Sequence, residues 1–578
     1  MISIPVNCFP GRWAVAALSC MSLSAGCSRQ PGEPAPVIHT PSDLVAHGAE
    51  FERRVEKVTD GVYVAIGFGL ANSVLLEGRD GVIIVDTMES IEEAETVLTA
   101  FREITHKPVR ALIYTHNHTD HIMGSRAFSR DPDLPVYAHS STAHYIDRII
   151  NTLRPVITRR SMRMFGVYLD DSGLINAGIG PYLGLGPDST IGLLRPNRTF
   201  DDTLEDEIAG IRFRLEHAPG ETNDQILVWL PEKRVLLPGD NVYKSFPNLY
   251  TIRGTPYRDM LGWVASIDRI REIAPDHLVP GHTSPISGTQ NIQQVLTDYR
   301  DAIQFVHDQA IRGINLGLTP DELVETIRLP EHLAASPYLQ EFYGTVAWSV
   351  RSVFDGNLGW FDGNPASLSP LPPDTRAEHI ASLAGGFEPL MQHAAQALAR
   401  GDYQWALELS DQLLRLKPGN RETRDLRVAA LRALGESQSN PNARHYYLTV
   451  AREFADGLEI APLANVDNAT LHSFPLDSYF RNMAVNLDPH RSADTITQVQ
   501  FFFPDAAETW SVLLRRGVAE IRAAPIPDPD IRVVVDSRIW KEMLAGKRNA
   551  ATTVATGMEI EGGSVAFLRF LALFRPVP

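Results

Sequence analysis

Four side chains that can bind a metal lie within six positions of the sequence, in the stretch THNHTDH at 115–121. They are His116, His118, Asp120 and His121. The stretch follows the apolar run ALIYT, so we expect these side chains to leave the end of a strand on a loop, where all four can turn towards one point. A regular strand or helix would spread them over different faces. Because imidazole and carboxylate groups bind zinc and similar divalent ions, the spacing predicts a metal site.

The composition limits what this metal site can be. All three cysteines, Cys8, Cys20 and Cys27, lie in the first 27 residues, so a metal in the folded body must bind histidines and carboxylates. The 578 residues, 44% of them hydrophobic and 21% charged, are typical of an ordinary globular protein with several domains. A net charge of −17 argues against a general nucleic-acid binder, because such proteins neutralise phosphates with an excess of Lys and Arg.

The elements that must position the metal ligands can be predicted from the hydrophobic pattern. From residue 50 to about 300, short β-branched runs alternate with helical segments, which predicts a layered α/β domain. From about 300 to 440 the pattern is helical, and residues 393–434 resemble a tetratricopeptide-like helix pair. After a polar break at 436–442 the pattern predicts strands again, and the chain ends in a strongly apolar helix.

The pattern H-x-H-x-D-H at 116–121 resembles the metallo-β-lactamase superfamily. That resemblance requires three more ligands at later strand ends, and Glu221, Asp240 and His282 occur in the required order, each beside a glycine. Most of the superfamily has His where this chain has Glu221. The resemblance implies that one metal binds His116, His118 and Glu221, that the other binds Asp120, His121 and His282, and that Asp240 bridges them. It also places Asp120 and Asp240 at the catalytic centre and gives Asp86 the role of orienting a ligand.

Two further stretches, 244–259 and 343–372, resemble the bacterial alkyl sulfatase family. The resemblance implies a multidomain chain (α/β, then all-α, then α+β): an αββα sandwich at 49–300, a helical dimerisation domain at 301–440 and a C-terminal domain like sterol carrier protein 2 at 445–578. It implies a homodimer with two Zn²⁺ ions, or Mn²⁺ or Fe, that hydrolyses alkyl sulfate esters. Asn248 and Arg253 correspond to the family's sulfate-binding positions, where a guanidinium can contact two sulfate oxygens.

This chain departs from the better-known alkyl sulfatases in its Gly239-Asp240-Asn241, where they tend to have a longer carboxylate, and in THNHTDH itself. Attack of water at sulfur or at carbon both stay open, as do another ester class (a lactone or phosphodiester) and a non-catalytic amphiphile-binding lipoprotein. The insertion at 152–190 is expected to build the substrate entrance, and the apolar C-terminal helix is expected to bind the alkyl tail.

The first residues predict export. Arg12 is followed by an apolar stretch and then by small residues, as in a signal peptide, here 1–26. The sequence LSAGC at 23–27 looks like a bacterial lipoprotein cleavage site, with Cys27 as the acylated residue. Residues 27–48 are predicted to be a Pro-rich tether. The expected location is therefore the periplasm or, through a lipid at the N-terminus, the membrane surface.

Overall fold

The computed structural model describes residues 41–148, 152–461 and 465–575. The predicted signal peptide, Cys27 and most of the tether lie outside these residues. The end of the predicted tether needs correction, because residues from Ser42 onwards form a helix that packs on the body of the protein. In it, Leu44 is fully buried and the His47 ring lies 2.8 Å from the Gly178 carbonyl oxygen. No helix in the described ranges is long and apolar enough to cross a membrane.

The first domain is built from two facing sheets with helices on the outside, which confirms the predicted αββα sandwich. Its strands are β1 (Arg54–Thr59), β2 (Val62–Ile66), β3 (Ser73–Glu77), β4 (Val82–Val85), β5 (Val109–Ile113), β6 (Val136–His139), β7 (Thr190–Ile191), β8 (Arg198–Phe200), β9 (Thr203–Ile208), β10 (Ile211–His217), β11 (Ile226–Leu230), β12 (Val235–Leu237), β13 (His277–Leu278) and β14 (Ile286–Ser287). Its helices are α1 (Ser42–His47), α2 (Ile91–Arg102), α3 (Thr119–Ile122), α4 (Ser125–Phe128), α5 (Thr142–Asp147), α6 (Arg154–Met164), α7 (Asp171–Leu174), α8 (Met260–Ile273) and α9 (Thr289–Asn315).

The two sheets share one apolar core. The first sheet has the order β1-β2-β3-β4-β5-β6-β8 and the second β14-β13-β12-β11-β10-β9. Side chains such as Val64 and Ile83 from the first sheet pack against Phe213 and Val228 from the second. Strands β3 and β4 are buried on both faces, apart from Glu77, since the outer face of the first sheet is covered by α2 and the insertion. Helices α8 and α9 cover the second sheet.

The helical region confirms the second part of the predicted fold class. Its helices are α10 (Pro320–Thr326), α11 (Glu331–Ala334), α12 (Val346–Leu358), α13 (Pro365–Leu368), α14 (Pro373–Ala384), α15 (Phe387–Arg400), α16 (Tyr403–Leu416), α17 (Arg421–Ser437) and α18 (Pro441–Ala455). Gly401 ends α15 with a φ of 85°, a conformation that favours glycine. The border at 300 falls inside the continuous helix α9, so the domain borders stay predictions.

The last region is an α+β domain. It contains β15 (Asn465–Val466), α19 (Asn468–Ser473), α20 (Leu476–Val485), β16 (Ile496–Phe503), β17 (Glu508–Arg515), β18 (Val518–Arg522), β19 (Ile531–Val534), α21 (Ser537–Leu544), α22 (Ala550–Thr556), β20 (Glu559–Glu561) and α23 (Ser564–Leu571). The main sheet has the order β18-β17-β16-β19-β20. The first strand of this domain, β15, does not belong to the main sheet. It pairs with β7 of the first domain, with Val466 opposite Ile191. The start of the C-terminal domain is thereby fixed beside the insertion.

The predicted terminal helix ends earlier than expected and belongs to the core of its own domain. Phe567 and Phe570 are buried there with Phe501 and Trp540, whereas Val565 at the other face is 64% exposed. These contacts favour a structural role for α23. The likeness to sterol carrier protein 2 stays a prediction.

Candidate metal centre and its cavities

All seven predicted metal ligands come together at one end of the sandwich. His116, His118, Asp120 and His121 follow β5 and lead into α3, and the other three follow later strands: Glu221 after β10, Asp240 in the turn after β12 and His282 after β13. Every one of them is at most 9% exposed. Strand ends from both sheets therefore converge on one buried point, as the order of the motifs in the sequence requires.

Asp240 lies at the centre of the cluster. Its Oδ2 is 3.2 Å from His282 Nε2, 3.4 Å from His121 Nε2 and 3.5 Å from His116 Nε2. Although burial acts to raise the pKa of Asp240, these histidines hold it well below its usual value. The central position matches that of the predicted bridging carboxylate. A side chain at Gly281 would collide with Asp240 Oδ1, since its Cβ would lie only 2.4 Å away.

The donor atoms fit a pair of divalent ions. Three groups of side chains each bring their ligand atoms within 4.8 Å of one another: His118 with Glu221 and Asp240, Asp120 with His121 and His282, and His116 with His121 and Asp240. Within the described residues, three buried atoms of the cluster have no hydrogen-bond partner, namely His121 Nε2, Glu221 Oε2 and Asp240 Oδ1. Buried polar atoms in proteins nearly always have a partner, so these three atoms are suited to bind cations.

Neighbouring groups fix the orientation of the imidazoles. Asp86 lies 2.8 Å from His121 Nδ1 and accepts hydrogen bonds from the amide and the hydroxyl of Thr115. The Leu70 carbonyl oxygen lies 2.8 Å from His282 Nδ1. Each contact occupies Nδ1 and leaves Nε2 facing the cluster, which is the usual arrangement around a metal-binding histidine. Asp86 therefore touches a ligand and lies where it can orient it.

Arg253 reaches the edge of the cluster. Its Nη2 lies 2.9 Å from His118 Nε2, and because a guanidinium only donates, this nitrogen of His118 must accept. Burial, followed by the charge of Arg253, lowers the pKa of His118 well below its usual value. Asn248 is fully buried, and its amide oxygen and nitrogen have no partner within the described residues. Both predicted sulfate-binding residues thus lie near the metal ligands with polar groups available.

Sequence reasoning missed two residues of the site. Arg258 is 2% exposed and forms an ion pair with Glu221, and Tyr343 is 4% exposed and lies against the cavity beside the metal ligands. Arg258 lies in the same stretch as Arg253 but was not singled out, because an isolated arginine is usually on the surface. Tyr343 begins the stretch 343–372, which lies inside the predicted dimerisation domain and not among the predicted site residues.

Two cavities meet at His118 and Arg253. The first, the entrance cavity, opens between α6 and the loop 253–258, and Arg148, Arg160 and Arg258 contribute to its walls. The second, the apolar cavity, extends to the other side of Arg253. It is lined by Met123, Met162, Phe165, Leu183, Leu185, Val466 and Phe474, among others. The insertion thus forms the walls predicted from its position in the sequence, and Val466 and Phe474 of the C-terminal domain complete them.

The fold and this cluster define a member of the metallo-β-lactamase superfamily. The model of that superfamily matches residues 66–282, and models for alkyl sulfatase dimerisation and for the alkyl sulfatase C-terminal region match 319–457 and 464–577.

The chain belongs to the alkylsulfatase family. It is 36% identical, over 86% of its length and 98% of the relative, to a linear primary-alkylsulfatase of Pseudomonas sp. (strain ATCC 19151). It is 29% identical, over 90% of its length and 82% of the relative, to the alkyl/aryl-sulfatase BDS1 of Saccharomyces cerevisiae. A solved structure of a double mutant of the sec-alkyl sulfatase PisA1 superimposes with a TM-score of 0.88 at 25% identity, over 95% of this chain and 88% of that one.

Proposed function

We propose that this chain hydrolyses alkyl sulfate esters to the alcohol and inorganic sulfate with the help of two divalent metal ions, which we expect to be zinc. The observation that carries the proposal is the position of Arg253, between a cluster of seven metal-binding side chains and an apolar cavity. A sulfate group and an alkyl chain need these two environments side by side. Release of sulfate from dodecyl sulfate, measured together with the metal content of the purified protein, tests the proposal.

The side chains of the site have two roles, metal binding and sulfate binding. His116, His118 and Glu221 would hold one ion and Asp120, His121 and His282 the other, with Asp240 between them. Such a pair supplies a water that is ionised near neutral pH and neutralises charge on the sulfate oxygens. Arg253 and Asn248 hold the sulfate group by hydrogen bonds, so that its alkyl side faces the apolar cavity. Water is added across the ester bond that breaks, giving the alcohol and hydrogen sulfate, which then loses its proton to become sulfate; attack at sulfur and attack at carbon give the same products.

We expect the apolar cavity to select for the length of the alkyl chain. Replacing Phe474 with alanine removes part of its wall, and each methylene that loses its contact costs up to about 0.8 kcal/mol. Phe474→Ala should therefore lower kcat/KM for dodecyl sulfate about tenfold, which corresponds to one or two methylenes, while the value for a short-chain ester changes little. Steady-state kinetics with esters of increasing chain length measure this effect.

Phe567→Ala is the matched control for this prediction. Phe567 is a fully buried phenylalanine of the same domain, but it packs in the core beneath α23. Its replacement should lower the melting temperature without changing the preference for chain length. If Phe567→Ala alters the chain-length preference and Phe474→Ala does not, the tail binds in the core beneath α23 instead.

We also propose that the chain forms a homodimer through the helical region. Large apolar side chains are exposed there on neighbouring elements, including Trp360 at 73%, Leu368 at 60% and Leu383 at 90%. All three lie within residues 319–457, which match the model for alkyl sulfatase dimerisation. We expect a dimer at micromolar concentration in light scattering, and a monomer for the double variant Trp360→Asp with Leu383→Asp.

A control separates this interface from a general effect of added charge. Leu316 is 67% exposed at the end of α9, outside the group of exposed residues at 358–405. Leu316→Asp should leave the dimer intact. A wild-type protein that scatters as a monomer would refute the proposed dimer. Export and the lipid on Cys27 rest on residues outside the described ranges and stay predictions.

A further inference from the structure

Beneath the metal ligands lies an ion pair that is buried on both sides. Arg258 Nη1 donates to Glu221 Oε1 at 2.9 Å, and the two side chains are 2% and 1% exposed. No other pair of Arg or Lys with a carboxylate in the described ranges is buried as deeply. A buried ion pair adds little net stability, because removing both charges from water costs about as much as their attraction returns. Its presence at this position therefore calls for a functional reason.

The two oxygens of Glu221 have different surroundings. Oε1 accepts from Arg258, whereas Oε2 has no hydrogen-bond partner within the described residues. Glu221 forms a possible ligand group with His118 and Asp240. A free carboxylate can rotate and present either oxygen, but here the guanidinium occupies one of them. The ion pair thus fixes which oxygen remains for a cation.

Arg258 also holds the stretch that carries the sulfate-binding residues. The same Nη1 donates to the backbone oxygen of Asn248, at the start of the stretch that continues to Arg253. Arg258 itself is anchored immediately before α8, whose first turn is capped by the Asp259 carboxylate accepting from the Leu261 amide at 3.1 Å. One guanidinium therefore links a rigid helix, a metal ligand and the sulfate-binding stretch.

We propose that Arg258 is a positioning residue that acts through Glu221, holding this carboxylate oriented for metal binding and fixing its distance from the sulfate-binding stretch. This inference rests on the proposed function only where it names the bound anion as sulfate. The part that concerns metal binding does not depend on the proposed function. Both hydrogen bonds come from Nη1, which carries two N–H groups and can serve the two acceptors at once. A lysine keeps the charge, but its side chain ends one atom short of the position of Nη1.

The test measures zinc binding directly, by equilibrium dialysis of the metal-depleted full chain, without any sulfatase assay. Arg258→Met should weaken zinc binding about 10- to 100-fold, the usual loss when a group that orients a ligand is removed. Arg258→Lys should recover part of this loss. Arg160→Met is the matched control, because Arg160 lines the same entrance cavity and donates to the Ile252 carbonyl oxygen at 2.9 Å without an ion pair to Glu221. It should bind zinc as the unmodified chain does.

A second pair of variants asks whether Arg258 acts through Glu221. An imidazole at position 221 has no carboxylate oxygen for Arg258 to occupy, so its orientation does not depend on the ion pair. In the Glu221→His background, Arg258→Met should therefore leave zinc binding unchanged or strengthen it. If Arg258→Met lowers zinc affinity equally in both backgrounds, or lowers it in neither, the proposal is overturned. If Arg258→Met does not fold, Arg258→Gln, which retains a donor for Asn248, takes its place in both backgrounds.

The outcome does not depend on the substrate. If zinc binding follows the expected pattern but dodecyl sulfate is not hydrolysed, the proposed function fails and the role of Arg258 stands. If dodecyl sulfate is hydrolysed but replacing Arg258 does not change the zinc affinity, the proposed function stands and this inference fails.

Discussion

Replacing Asp240 with asparagine should remove most of the bound metal and lower the rate of alkyl sulfate hydrolysis at least about a thousandfold, since a metal-activated water is worth several kcal/mol of barrier. The carboxylate lies within 3.5 Å of a nitrogen of His116, of His121 and of His282, so its charge is shared by the whole cluster. Asparagine keeps the shape but loses the charge that balances the cations. Metal analysis and sulfate release from dodecyl sulfate measure both effects.

The control for this prediction is Asp268→Asn. Asp268 pairs with Arg271 of its own helix α8 and with Arg300 of α9, and it is not one of the metal ligands. It should retain about two metal ions per chain and full activity. Full activity of a preparation of the unmodified chain that contains no metal would exclude the dinuclear site altogether.

Replacing Arg253 with lysine should lower kcat/KM for dodecyl sulfate by about 10- to 150-fold, or on the order of 1.5 to 3 kcal/mol for charge-assisted hydrogen bonds. Lysine retains the positive charge but not the planar pair of donors that can contact two sulfate oxygens. Arg253→Ala should lower kcat/KM further. Because the contact to His118 lies at the edge of the metal cluster, metal content is measured on the same samples.

Arg148→Lys provides the comparison for Arg253. Arg148 lines the same entrance cavity, so its replacement tests whether any arginine at the entrance has the same effect. We expect kcat/KM to change less than twofold. If Arg253→Ala hydrolyses dodecyl sulfate as fast as the unmodified chain, the assignment of Arg253 to sulfate binding is wrong.

The C-terminal domain illustrates what the hydrophobic pattern can and cannot predict. Its strands and its terminal helix form as the pattern predicts, and the hairpin between β17 and β18 turns at Arg516 and Gly517, both with positive φ. The pattern does not reveal which cavity an apolar side chain lines. Phe474 and Phe567 are both buried phenylalanines, yet only the first lines the apolar cavity, because its segment packs on the first domain through contacts such as the pairing of β15 with β7.

The sequence by itself determined the chemistry of the metal cluster, because four ligands of one short loop stay together whatever the rest of the chain does. It also determined the order of the other three ligands, since each follows a strand that ends at the same edge of a sheet. Tertiary structure alone decided the roles of Arg258 and Tyr343. Neither has a distinctive neighbour in the sequence, and burial against Glu221 or beside the apolar cavity arises from contacts between distant parts of the chain. Local spacing encodes which groups can react, whereas long-range packing decides which charges and apolar walls surround them.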